Sequence, residues 1–315
     1  MKRAALALSL AWAAGCEGSL ASPDAPHADA ARAPASDAFS PTADAPGLDA
    51  SEPDAPGVDA FIAAPDAHLT TPDAPSETLR LPPANAPFDY QLGGPYAVPR
   101  GVQIVSRDRT ERPAAGVFNI CYVNGFQAQP DANDFWLNDH PTLVLRDSAG
   151  NPVIDPDWDE MLLDVRTAAK RTELAAIVGG WIQQCGRDGF DAVEIDNLDT
   201  YSRSGGRITE ANAIAYMRLL SDVAHASGLA IAQKNSSEIA TRRVEMGTDF
   251  AVAEECNRYS ECDVYTAAYG NNVFVIEYRR GDFTTGCSRY PNLSIVLRDL
   301  NLVPAGSAGY VFDGC

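Results

Sequence analysis

From residue 88 to the end of the chain, short apolar runs alternate with helical or loop stretches, and no other feature constrains the fold as strongly. The runs fall at 88–92, 102–106, 117–123, 190–196, 229–234, 250–254, 273–278 and 309–312. They are short, rich in β-branched and aromatic residues, and read as buried strands. Strand, helix, strand repeated in one direction implies parallel strands joined by right-handed crossovers. Eight such runs within residues 86–315 favour an α/β fold of the closed (β/α)8 TIM-like type over an open doubly wound sheet. No G-x-G-x-x-G follows a strand, which lowers the case for a dinucleotide fold further.

The best-defined helix is expected over 210–226. Thr209 is its N-cap, Glu210 favours the first turn and Gly228 ends it. Ile214, Met217, Leu220, Val223 and Ala224 recur at helical spacing and give one apolar face to pack on a sheet. The long interval after the third run holds a loop-rich insertion at 124–156 and an amphipathic helix around 166–184.

In such a barrel the working residues lie at the C-terminal strand ends and in the loops that follow. Here the fourth run ends in Glu194, Asp196 and Asn197, with Asp199 just beyond. The fifth ends in Lys234-Asn235, the sixth in Glu254-Glu255, and the seventh in Glu277-Tyr278. Four successive strands thus deliver charged or amide groups to one rim, while their earlier residues are apolar. Residues two apart share a strand face, so Glu194 and Asp196 point the same way. Acids on an apolar strand need compensation or a polar cleft. A pair of carboxyl groups flanking a scissile bond is the minimum apparatus for glycoside hydrolysis, one protonated and one ionised. Tyr122 and Tyr278 sit where they can stack on sugar rings or simply fill the core, and Lys234 reads equally as a counter-ion or a ligand-orienting group.

Other chemistries find little support. Beyond His27 and His68, in low-complexity sequence, only His140 and His225 remain, and His225 falls in the expected helix as a structural residue. There is no C-x-x-C pair and no G-x-S-x-G, so neither a metal centre nor a serine triad is expected, and no cofactor or nucleic-acid partner is implied.

The first 85 residues differ in kind. Residues 1–15 have a basic start, a short apolar core and small residues before Cys16, the pattern of a secretory signal peptide too short to span a bilayer. The Ala13-Ala14-Gly15-Cys16 end resembles a bacterial lipobox, which makes Cys16 the expected lipidation site, with plain secretion as the alternative. Residues 16–85 are rich in Ala, Pro, Asp, Ser and Thr with recurring Asp-Ala pairs, and carry about half of the −19 net charge. Such a segment lacks the apolar surface to offset its chain entropy and is expected to be a disordered acidic tether. The only membrane contact expected is through the lipid, and the head is expected to be a monomer.

With Cys16 set aside, six cysteines remain in an exported chain, which points to disulfides. Cys256 with Cys262 makes a local loop and Cys287 with Cys315 a C-terminal staple. Cys121 with Cys185 follows by elimination.

The motifs resemble those of one family. GFDAVEIDNLDTY, at 189–201, resembles the G-F-D-G-V-E-P-D-N-x-D-x-Y signature of the glycoside hydrolase family that contains endo-α-1,4-polygalactosaminidases. AHASGLAIAQKN, DFAVAEECNRYSEC and VFVIEY are similar to its next motifs, in order, and ICYVNG to its earlier C-Y-x-S-A-G strand. The resemblance implies an exported TIM-barrel endo-hydrolase of α-1,4-linked galactosamine polymers, which occur in biofilm matrices. It implies Asp196 and Glu254 as the catalytic carboxylates, with Glu254 as nucleophile, Asp196 as acid/base and Glu277 as the rival partner. An acidic rim suits a cationic galactosamine-rich polysaccharide. The loop after the third strand departs from the family, as does DPDWDEMLLDVR, although Asp164 and Arg166 are kept.

Overall fold

The computed structural model describes residues 79–315. The expected signal peptide, the Cys16 lipid site and most of the tether lie outside the described residues. The chain is already seated on the folded head at Arg80, which pairs with Asp191 at 2.7 Å and lies over the Phe118 ring.

Seven of the eight expected strands form where β-branched and aromatic residues cluster. Strands β1 (Phe88–Gln91), β2 (Ile104–Asp108) and β3 (Phe118–Asn124) come first. An insertion follows with a small antiparallel sheet of β4 (Gln127–Ala128), β5 (Ile154–Asp155) and β6 (Glu160–Leu162). Then β7 (Ala192–Asp196), β8 (Ala230–Lys234), β9 (Phe250–Glu254), β10 (Val273–Glu277) and β11 (Ser294–Arg298) continue the main sheet. These eight main-sheet strands are parallel to their neighbours in chain order. Five of their crossovers hold α1 (Ala168–Asp188), α2 (Thr200–Arg203) with α3 (Glu210–Ala226), α4 (Arg243–Met246), α5 (Cys262–Tyr269) and α6 (Arg280–Arg289). The result is a (β/α)8 TIM-like barrel.

The eighth strand is corrected by the structure. It is Ser294–Arg298, not 309–312. Gly309 has φ 85° and ends a turn, after which a short β12 (Phe312–Gly314) pairs antiparallel with β11. Ser294 and Arg298 at its two ends obscure β11 as an apolar run, yet both are fully buried.

Strand alternation splits the core in two. Phe88, Ile120, Phe250, Val252 and Phe274 fill the barrel interior, where the small Ala192, Ala230 and Ala232 leave room for the rings. Phe88, Phe274 and Phe250 meet edge to face at 5.6 and 5.8 Å. The opposite strand faces pack under the helices. Helix α3 begins at Thr209 in a capping box with Asn212 and buries Ile214, Met217, Leu220 and Ala224. Gly125, just past β3, sits so close to Ile195 that a Cβ there would lie 2.4 Å from its methyl group. Three disulfides join Cys121 to Cys185, Cys256 to Cys262 and Cys287 to Cys315, the pairing expected from two local loops and elimination. His225 is structural, 2.9 Å from Asp249.

Candidate active site

Three neighbouring strands end in the same place. The last residues of β7, β8 and β9 are Asp196, Lys234 and Glu254. Each lies an even number of residues beyond an interior side chain (Ala192, Ala232 and Val252) and so faces the barrel axis. The chain turns sharply directly afterwards: Asn197, Asn235 and Glu255 adopt φ of 64°, 49° and 53°. Asparagine tolerates this left-handed region, whereas glutamate seldom enters it, so Glu255 holds backbone strain beside the site.

Lys234 is the hub. Its side chain is only 3% exposed, and Nζ lies 3.1 Å from Asp196 Oδ1 and 3.1 Å from Glu254 Oε2. It also donates to the Tyr90 hydroxyl at 3.2 Å. Tyr122 donates to the other Asp196 oxygen at 2.6 Å. Glu254 accepts from the Tyr278 hydroxyl and, at 3.1 Å, from Asn235 Nδ2, while its backbone N–H donates to Asn235 Oδ1. A buried ammonium is tolerable only with such compensation, and two carboxylates supply it.

The electrostatics separate the acids. Burial pushes the Asp196 carboxyl up, but the Lys234 charge and the hydrogen bonds from Tyr122 and Lys234 outweigh it and hold the group below the usual carboxylate range. Glu194 lies one residue pair deeper, fully buried, and accepts from Tyr90 at 2.8 Å. Burial raises it to about 7 despite the partial offset from Lys234 and Tyr90. Lys234 itself is lowered by burial, yet Asp196, Glu254 and Glu194 together carry it well above its ordinary value. It is a fixed positive charge.

A cleft of about 370 Å³ opens over this cluster. Tyr122, Asn197, Asp199, Asn235 and Tyr278 line it alongside the two carboxylates, as the strand ends suggest. Asn197 donates to Asn124 Oδ1 at 3.0 Å, and Asp199 receives a two-pronged contact from Arg203 at 2.6 and 2.8 Å. Glu277 is not brought to the cleft. Alternation turns it to the outer face of β10, where it is buried and accepts the Asn257 N–H at 2.9 Å, while the next residue, Tyr278, faces inward.

Sequence reasoning missed the polar and aromatic lining groups Tyr90, Trp158, Glu160 and Arg203, together with Leu92, Gly93 and the 300–302 loop. Trp158 and Glu160 lie in the insertion after β3, in the DPDWDEMLLDVR stretch. The rule that βα loops build the barrel site is the signal that points to them. Arg203 follows Asp199 by one helical turn, the spacing of a helix ion pair. Among the described residues, no group of three or more His, Cys, Asp or Glu is placed to hold a metal ion.

Comparison with known proteins agrees with this architecture. The crystal structure of Aspergillus fumigatus Ega3 in complex with galactosamine is similar with a TM-score of 0.61 at 23% identity, covering 76% of this chain and 98% of that one. A variant of the glycoside hydrolase domain of Pseudomonas aeruginosa PelA gives 0.49 at 13% identity, over 71% and 97% of the two chains. The first of these likenesses speaks for the fold alone. No curated protein sequence matches. The model of glycoside-hydrolase family GH114 matches residues 68–315, and the chain belongs to that family.

Proposed function

We propose that this protein is an exported endo-glycosidase that hydrolyses α-1,4-linked galactosamine-containing exopolysaccharide, with retention, through Asp196 and Glu254. The observation behind this reading is the pair of carboxylates bridged by Lys234 under an open cleft. Their nearest ammonium-bound oxygens are each 3.1 Å from one nitrogen, and so at most twice that apart. Two carboxyl groups sharing one ammonium fit the close spacing of retaining enzymes, roughly 5–5.5 Å, better than the roughly 6.5–9.5 Å that leaves room for a water in inverting ones. The GH114 match and the likeness to Ega3, whose structure contains galactosamine, support the substrate class. Three disulfides and the leader-like start of the chain support export, with Cys16 as the lipid-bearing residue.

We assign the two roles in the reverse of the order expected from the sequence. An acid must arrive protonated, and Asp196 is held ionised by Lys234. Asp196 therefore attacks the anomeric carbon. Glu254, the more exposed at 27% against 18%, protonates the departing glycosidic oxygen. In the second step Glu254 takes a proton from water, whose oxygen displaces Asp196 from the sugar. Tyr122 and Lys234 hold the nucleophile, and Tyr278 and Asn235 orient the acid/base.

Reducing-end release from an α-1,4-galactosamine polymer tests this. Asp196→Asn and Glu254→Gln should each lower it by at least about a thousandfold while leaving the circular dichroism spectrum unchanged. Early product of inverted anomeric configuration, seen by NMR, would remove retention. Tight binding of polymer by the unaltered chain without any shortening would instead make it a sugar receptor.

A further inference from the structure

Four acidic side chains line the cleft: Glu160, Asp196, Asp199 and Glu254. Among the described residues two cations line it with them, Lys234 and Arg203, and both are committed. Lys234 lies between Asp196 and Glu254, and Arg203 lies against Asp199 and, at 2.6 Å, Asp155. Glu160 is the acid left over. Its one hydrogen bond among the described residues comes from a neutral group, Asn124 Nδ2, at 2.9 Å to Oε2. Asn124 pairs with Asp196 across β3 and β7, and its own oxygen accepts from Asn197 and from the Gln127 backbone. The carboxylate is thus fixed in direction, close to Asp196, with its second oxygen unclaimed. Burial raises its pKa, and the Asn124 hydrogen bond offsets part of that. The charges of Asp196 and Asp155 raise it by more than the Arg203 charge lowers it, while no cation makes an ion pair with it among the described residues. Two residues earlier stands Trp158, 63% exposed and lining the same cleft. An aromatic face beside a fixed, unpaired carboxylate suits a pyranose that bears a positive charge.

We infer that Glu160 is the specificity residue that receives the 2-ammonium group of a deacetylated amino sugar, with Trp158 as the platform for the ring. This rests on the reading of the cleft as a glycosidase site. A free amine brings the missing positive charge to Glu160 and forms a charge-assisted hydrogen bond. An N-acetyl group brings a neutral amide and a methyl against the same carboxylate, and strips water from the charge without compensation.

The test is binding of α-1,4-galactosamine tetrasaccharide and its fully N-acetylated counterpart to the full chain carrying Glu254→Gln to stop turnover. The deacetylated ligand should bind at least about tenfold tighter, and the preference should shrink as salt is raised. Adding Glu160→Gln, whose carbonyl still accepts from Asn124, should abolish the preference by weakening only the deacetylated ligand. Adding Trp158→Ala should weaken both ligands alike. Equal weakening of both ligands by Glu160→Gln, or no preference in the Glu254→Gln chain at any salt, would overturn the inference. Selective binding by a protein whose unsubstituted form never cleaves the polymer would overturn the hydrolase reading and leave this one standing. Cleavage without selectivity would do the reverse.

Discussion

Two buried cations occupy the interior of this barrel at strand ends, and they serve opposite ends. Arg298, at the end of β11, is fully buried and fully enclosed. Its guanidinium reaches Asp89 at 3.1 Å, the carbonyls of Tyr90, Val303 and Val311, and lies over the Tyr96 and Tyr310 rings. It bridges the last parallel strand to β1 and so holds the barrel seam. Lys234 is buried almost as deeply, yet the two carboxylates it touches line the cleft. A rigid fork with several donors is matched to a closed polar seam, whereas a compact ammonium is matched to two acids that face an open cleft. Where the partners lie, more than the depth of burial, separates a charge that closes the fold from one that faces the cleft.

Exchanging each cation for a neutral side chain is the strongest way to break that comparison. Lys234→Met should cost at least about a hundredfold in kcat/KM on galactosamine polymer, because Asp196, the proposed nucleophile, loses the charge that keeps it ionised. The lower limb of the pH profile should move up, since the Asp196 carboxyl is no longer held down. Arg298→Met should destabilise by about 3–5 kcal/mol in urea unfolding, because Asp89 is left buried with only neutral donors. Activity per folded molecule should survive in that variant. A Lys234 variant that unfolds as readily as the Arg298 variant, yet stays active while folded, would show that both charges are structural.

How much of this was legible beforehand follows the same division. The rim acids and Lys234 stand at the ends of clear apolar runs, so the strand rule finds Asp196, Lys234 and Glu254 directly. β11 was missed because Arg298 is one of its residues, and a charge in a five-residue run reads as loop until its partners, some 200 positions away in sequence, are known. Glu277 was grouped with Tyr278, although strict alternation puts only one of two consecutive residues on the inner face. Trp158 and Glu160 lie just beyond the loop-rich stretch at 124–156, in sequence without periodicity, and only the folded chain brings them over the cleft.

Glu277 offers a third, smaller contrast, a buried acid with no cation in hydrogen-bonding contact among the described residues. Burial lifts its carboxyl from an ordinary 4.5 to about 7. A raised acid binds its proton more tightly folded than unfolded, so the stability it supports is fully present below about 4.5 and is lost as the pH rises to about 7. Glu277→Gln should therefore reduce the loss of stability between pH 5 and pH 8 by on the order of 1–3 kcal/mol, with polymer cleavage unchanged. Glu194, which shares the direction, keeps part of the slope. An unaltered slope would mean that Glu277 is ionised in place, its charge met by the loop N–H groups alone.

The smallest effect belongs to the 300–302 loop at the cleft. Leu300 is 64% exposed, in the loop after β11 that faces the same cavity as Trp158. An exposed leucine adds little to the fold, so Leu300→Ser should change unfolding free energy by less than about 0.5 kcal/mol. If the cleft grips a chain between two walls, the same change should raise KM for long polymer a few-fold and leave kcat alone, because it removes contact shared by ground and transition states. Short oligosaccharides that do not reach the loop should be unaffected. Equal effects on long and short substrates would place Leu300 against the reacting sugar itself, and a loss of stability would return the loop to the seam that Arg298 holds.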